Sequence, residues 1–243
     1  MPLPRPLNLE AFSRSANPEP NRYLGSRFSQ DGVFLPEAGN TVVRHVVPGS
    51  ETQAALIELR ERLRALPWGH RFAFTEVPSL HMTVFEGAIE TRRKDHYWPA
   101  DLPLDTELGA VTAHLAGRLK GFEGPGPFDM RIFEVTPFGL TLTGATDKDK
   151  QMARAWRDAL TEPFGYRSPS HDSYFFHVTL AYIIDWLPDE MIGDYKAALA
   201  ELTREFQRRI PVVELDPPAF CTFADMNAFP PVIKLAESAA EIG

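Results

Sequence analysis

Two short stretches of this chain hold residues that could do acid–base chemistry together. One reads His81-Met82-Thr83-Val84, and the other reads His177-Val178-Thr179-Leu180, ninety-six residues later. Each is His, apolar, Thr, apolar, inside a β-prone run: Leu80 to Phe85, and Tyr174 to Ile184. Side chains two apart on a strand share a face. His81 therefore sits beside Thr83, and His177 beside Thr179, with the apolar residues on the opposite face. With 7 His and 44% apolar residues, composition alone yields roughly 0.08 such tetrapeptides. Two copies therefore point to a duplicated unit. Two such strands facing one cleft supply two acid/base groups and two hydroxyl donors.

The elements that must position these residues recur at the same spacing. Thr41 to Val47 is a β-branched run that falls on Pro137 to Thr143. The stripe Leu56, Leu59 and Leu63 falls on Met152, Ala155 and Ala159, and Glu51 falls on Asp147. Strand, helix, loop and His-x-Thr strand thus repeat in one register. Ser50 with Gln53 is a capping-box signature for a first helix reaching Leu66. The spacing of Leu108, Val111, Leu115 and Leu119 predicts a second helix over Thr106 to Leu119. A third is expected from Asp147 to Leu160, and a fourth from Pro188 to Arg209. Gly124-Pro125-Gly126-Pro127 is a strong breaker between the halves.

The order of elements predicts an α+β fold of two pseudo-symmetric lobes. Each lobe is an antiparallel sheet with helices on its outer face, and a central groove lies between them. If the lobes pack sheet to sheet, the two His-x-Thr strands meet in that groove. Residues 1–40 read as an irregular arm rich in Pro, Asn, Ser and Gly. Its aromatics Phe12, Tyr23, Phe28 and Phe34 would anchor it, either draped on the surface or covering the cleft. Residues 41–243 read as a single bilobal domain, with repeats starting near 41 and 137.

Composition excludes several classes. Apolar, charged and aromatic contents of 44%, 24% and 11% over 243 residues are globular values. A net charge of −8 argues against wrapping a long duplex, which relies on many Lys/Arg–phosphate contacts. One cysteine, Cys221, leaves no disulfide framework and no Cys-rich metal site, and fits a reducing cytoplasm. It has no His/Asp context to activate it and reads as an inert, buried thiol. No run of 18 apolar residues would span a membrane, and the N-terminus lacks the apolar core of a secretory signal. A cytoplasmic monomer is expected.

The paired motifs resemble the H-Φ-[ST]-Φ signatures of the two-histidine (2H) phosphoesterase superfamily, which includes the ligase T-like cyclic nucleotide phosphodiesterases. The resemblance rests on the eight motif residues and the repeat, across residues 41–235, and includes similarity to a bacterial branch known only as a domain of unknown function. It implies a bilobal α+β fold and metal-independent, cofactor-free chemistry on a phosphodiester. The implied substrate is a 2′,3′-cyclic phosphate nucleotide or an RNA end.

Residue chemistry agrees with that implication. One imidazole activates water or a hydroxyl, and the other protonates the departing oxygen; an ordinary His titrates near 6.5. The Thr83 and Thr179 hydroxyls would bind the non-bridging oxygens. No Asp/Glu cluster flanks either motif at metal-ligand spacing, so no metal is expected. Strand alternation places Phe85 and Phe175 on the imidazole faces, as stacking rings for a base or as core aromatics. It sends Val178 and Tyr182 to the helix side. Tyr23, Arg92, Arg131 and Tyr174 are further candidates to reach phosphate or sugar. His171-Asp172 lies in a Pro/Ser loop and reads as surface. The competing readings are a non-catalytic nucleotide- or phosphate-binding module using the same groove, and RNA ligase-type activity.

Overall fold

The computed structural model describes residues 6–237. Its strands are β1 (Gly39–His45), β2 (Phe72–Phe74), β3 (His81–Ile89), β4 (Glu123–Gly124), β5 (Met130–Thr136), β6 (Gly139–Gly144), β7 (His177–Thr179), β8 (Ala181–Ile183), β9 (Ala219–Phe223), β10 (Pro231–Lys234) and β11 (Ala236–Glu237). Its helices are α1 (Glu51–Ala65), α2 (Leu108–Leu119), α3 (Asp147–Phe164) and α4 (Ile192–Arg209). The fold is α+β with antiparallel sheet, as the order of elements predicts.

The two halves join edge to edge rather than face to face. One seven-stranded antiparallel sheet runs β10-β9-β1-β3-β7-β6-β5, and β3 meets β7 at the pair Met82–Val178. The short pairs β2–β8 and β11–β4 stand beside it. The expected repeat is visible in the pairing itself. In β1–β3, His45, Arg44 and Val43 lie opposite His81, Met82 and Thr83. In β6–β7, Thr141, Leu140 and Gly139 lie opposite His177, Val178 and Thr179. Each partner is shifted by the same ninety-six residues. α1 and α3 also begin ninety-six residues apart, each behind a hydroxyl N-cap. Ser50 accepts from the Gln53 amide, and Thr146 forms a capping box with Asp149.

One face of the sheet is apolar and covered by helices. Met82, Val84, Leu140 and Val178 share a single core with Leu56, Leu59 and Leu63 of α1, Trp156 and Leu160 of α3, and Leu199 and Phe206 of α4. The other face carries the imidazoles. The arm lies over it: Phe28 is fully buried against Ala73 and Ile184, and Phe12 stacks on Phe138 with 4.8 Å between ring centres. Both readings of the arm meet here, since it is irregular, anchored by aromatics, and over the cleft. Among the described residues, no helix is long and apolar enough to cross a membrane.

Candidate active site

The Met82–Val178 pair sets the centre of the site. Continuing that antiparallel register one residue each way puts His81 opposite Thr179, and Thr83 opposite His177. Opposite residues share a face with Cβ atoms about 5 Å apart. Each imidazole therefore neighbours the hydroxyl of the other motif as well as its own. All four line a cleft of about 230 Å³.

Both rings are held by one backbone device. The carbonyl of Ser79 takes a hydrogen bond from Nδ1 of His81 at 2.6 Å. The carbonyl of Phe175 takes one from Nδ1 of His177 at 2.9 Å. Residues 79 and 175 are again ninety-six apart. A carbonyl only accepts, so Nδ1 carries the proton and Nε2 keeps its lone pair. Burial pushes His81 well below the usual 6.5; the hydrogen bond to Ser79 opposes this, and the neighbouring His45 and His177 push it lower still. Burial also lowers His177, but its hydrogen bond to Phe175 and the Glu86 carboxylate favour its charged form. The two imidazoles are thus chemically unequal.

The structure corrects the strand alternation beyond each motif. β3 carries a bulge: Val42 and Val43 are consecutive, yet they pair with Phe85 and Thr83, leaving Val84 extra. Phe85 consequently turns into the core, 2% exposed, against Phe164 and Tyr166 at 4.6 and 5.7 Å. It cannot stack on a ligand. Glu86 takes the cleft position instead. The second motif does the same. The amides of Leu180 and Ala181 both donate to the Phe138 carbonyl, at 2.6 and 3.0 Å. Tyr182 therefore faces the cleft rather than the helices. Glu86 and Tyr182 are equivalent positions of the repeat. The signal for both was present: each His-x-Thr is followed by two apolar residues and then a polar one, Val84-Phe85-Glu86 and Leu180-Ala181-Tyr182.

The other candidates divide. Tyr23, Arg92 and Tyr174 line the cleft. Phe175 is not among the residues lining the cleft; 43% exposed, it lines an adjoining groove with His177. Arg131 is exposed on edge strand β5 and lines neither cavity; it pairs with Thr143, two residues along β6 from the Thr141 that lies opposite His177. His171 is not a surface residue; it is 1% exposed, with Nε2 on Asp158 at 2.8 Å. Cys221 is buried, which pushes its thiol up to about 12. Two residues that the pattern missed are Arg27 and Arg157. Arg27 lies 4.2 and 5.5 Å from the Tyr23 and Tyr182 rings. Arg157, fully buried, lies 3.9 Å from the Tyr174 ring. Among the described residues, no group of three His, Cys, Asp or Glu could hold a metal ion.

Comparison with known proteins shows the family of the chain. A family model described as 2H-phosphodiest, domain of unknown function (DUF1868), matches residues 27–141, a span that includes His81 and Thr83. No curated protein matches. The crystal structure of the conserved protein of unknown function ATU0111 from Agrobacterium tumefaciens str. C58 is 45% identical. The match covers 93% of this chain and 97% of that one, with a TM-score of 0.91. With two His-x-Thr strands paired at the centre of one sheet, the chain belongs to the 2H phosphoesterase superfamily, in the branch described as a domain of unknown function.

Proposed function

We propose that the protein is a metal-independent phosphodiesterase acting on a 2′,3′-cyclic phosphate nucleotide or a related nucleotide-end phosphodiester. The observation that carries this reading is the pair of Nε2 lone pairs, each fixed by a backbone carbonyl at Nδ1, flanking two threonine hydroxyls. A binding module needs no such matched bases.

The inequality of the rings supports distinct roles for them within this reading. His81, held neutral by burial first and by the neighbouring His45 and His177 second, takes the proton of the attacking water through Nε2. The water oxygen bonds to phosphorus as the ester P–O bond breaks. His177 is also lowered by burial, but the Phe175 carbonyl and the Glu86 carboxylate oppose that and favour its charged form; as imidazolium it gives its Nε2 proton to the departing oxygen. Thr83 and Thr179 donate to the non-bridging oxygens, whose charge grows in the transition state.

Purified protein should hydrolyse 2′,3′-cyclic mononucleotides in EDTA. His81→Ala and His177→Ala should each lower kcat by at least about 100-fold. Full turnover in both variants, or turnover only with added metal, would sink the reading.

A further inference from the structure

The cleft has two dissimilar ends, and the repeated bulge creates the difference. At one end stands Glu86, whose side chain is 22% exposed. Its carboxylate accepts from Arg92 at 3.2 Å, Ser168 at 3.2 Å and Ser170 at 3.0 Å. A carboxylate offers about four lone-pair positions, so one is left for a donor in the cleft. It repels phosphate oxygens, so the group it meets must carry a hydroxyl or N–H. At the other end stands Tyr182, where the cleft opens into a groove of about 540 Å³. Tyr23, His177, Thr179 and Tyr182 border both cavities. Phe12, Phe138, Phe175 and Ile183 make the groove walls apolar.

Positive charge is scarce. Among the described residues, the two Arg side chains lining the cleft are both ion-paired: Arg27 with Glu37 at 2.5 Å and Arg92 with Glu86 at 3.2 Å. The whole chain carries −8. A nucleic-acid strand brings another negative charge with every nucleotide, and proteins hold such strands with Lys and Arg.

Resting on the phosphodiesterase reading, we propose that the substrate is a small, singly charged, unsymmetrical phosphodiester. Its hydroxyl- or amine-bearing group meets Glu86, and its apolar or aromatic group occupies the groove beside Phe138 and Phe175. A polynucleotide strand is not accommodated.

Two aryl diesters test the groove. Bis(p-nitrophenyl) phosphate and methyl p-nitrophenyl phosphate release the same product but differ in the ester that remains. In EDTA, the first should show a KM about 5-fold lower or better, the effect of one stacked ring. Phe175→Ala, at an exposed position that tolerates truncation, should erase most of that difference. Uridine 2′,3′-cyclic phosphate tests the polar end. Its kcat/KM should exceed that of an oligonucleotide ending in the same cyclic phosphate by about 10-fold, with little change between roughly 50 and 200 mM salt. Glu86→Gln should narrow the gap. Equal KM values for the aryl diesters, or preference for the oligonucleotide with a steep loss in salt, overturns the proposal. If no diester is turned over, the phosphodiesterase reading itself fails. The groove is then read by titration calorimetry: tighter binding of bis(p-nitrophenyl) phosphate than of dimethyl phosphate supports it, and equal binding overturns it.

Discussion

At the scale of the residue, an imidazole is useful here because its tautomer is decided by the backbone. The carbonyls of Ser79 and Phe175 each hold Nδ1–H, so Nε2 is the atom that gains and loses the proton on both sides of the cleft. The lowered pKa values then set the pH dependence. In the free enzyme the acid, His177, loses its proton below 6.5. The alkaline limb of kcat/KM should therefore fall below pH 6.5, with activity highest on the acid side. A bound phosphodiester favours imidazolium, so the same limb in kcat should sit at higher pH. Rate profiles between pH 4 and 9 would show this, and a kcat/KM alkaline limb above pH 8 would contradict the acid assigned to His177. Phe85 behaves differently. Buried against Phe164 and Tyr166, it should cost about 3–4 kcal/mol in urea unfolding as Phe85→Ala. KM for cyclic nucleotides should stay unchanged.

At the scale of the element, the bulge is the feature that decides which side chains reach the substrate. A bulge leaves a carbonyl without its ladder partner, and here each one is satisfied by another element. The Val84 carbonyl accepts from the Arg157 guanidinium of α3 at 2.6 Å. The Leu180 carbonyl accepts from the Thr75 amide, just beyond β2, at 2.9 Å. Arg157 also packs on Tyr174 beside the cleft. Arg157→Met should cost about 2 kcal/mol by orphaning the Val84 carbonyl. It should also lower kcat, because the strand carrying His81 and Thr83 loses its brace. Urea unfolding and steady-state kinetics measure both, and a loss of stability with kcat intact would confine Arg157 to a structural role. Gly139 adds a second constraint. A Cβ there would sit 2.1 Å from the Val178 carbonyl, so only glycine lets β6 approach the His177 strand in this register.

At the scale of the whole molecule, the two halves form one sheet and the arm closes over it. Arg27 and Tyr23 come from the arm, so the site is complete only when the arm is docked. Phe28 anchors that docking with no exposed surface. Phe28→Ala should cost about 3 kcal/mol, seen in denaturant unfolding, and should raise KM by loosening Tyr23 and Arg27. An unchanged KM would separate the arm from substrate binding.

The chain by itself determined the two His-x-Thr motifs, their ninety-six-residue register, the four helices and the α+β class. Those rest on periodicity and local caps, which are properties of neighbouring residues. It also contained the doublets Val84-Phe85 and Leu180-Ala181, although simple alternation reads through them. Only the tertiary structure decided that these doublets are bulges, because a bulge is defined by the strand opposite. Only it sent Phe85 inward, brought Glu86 and Tyr182 to the cleft, buried His171 and Arg157, and left Arg131 outside. Each of those outcomes depends on partners far away in sequence: Phe164 for Phe85, Ser168 and Ser170 for Glu86, and Thr75 for Leu180. Side-chain direction along a strand is local, but the count of residues between two paired strands is not.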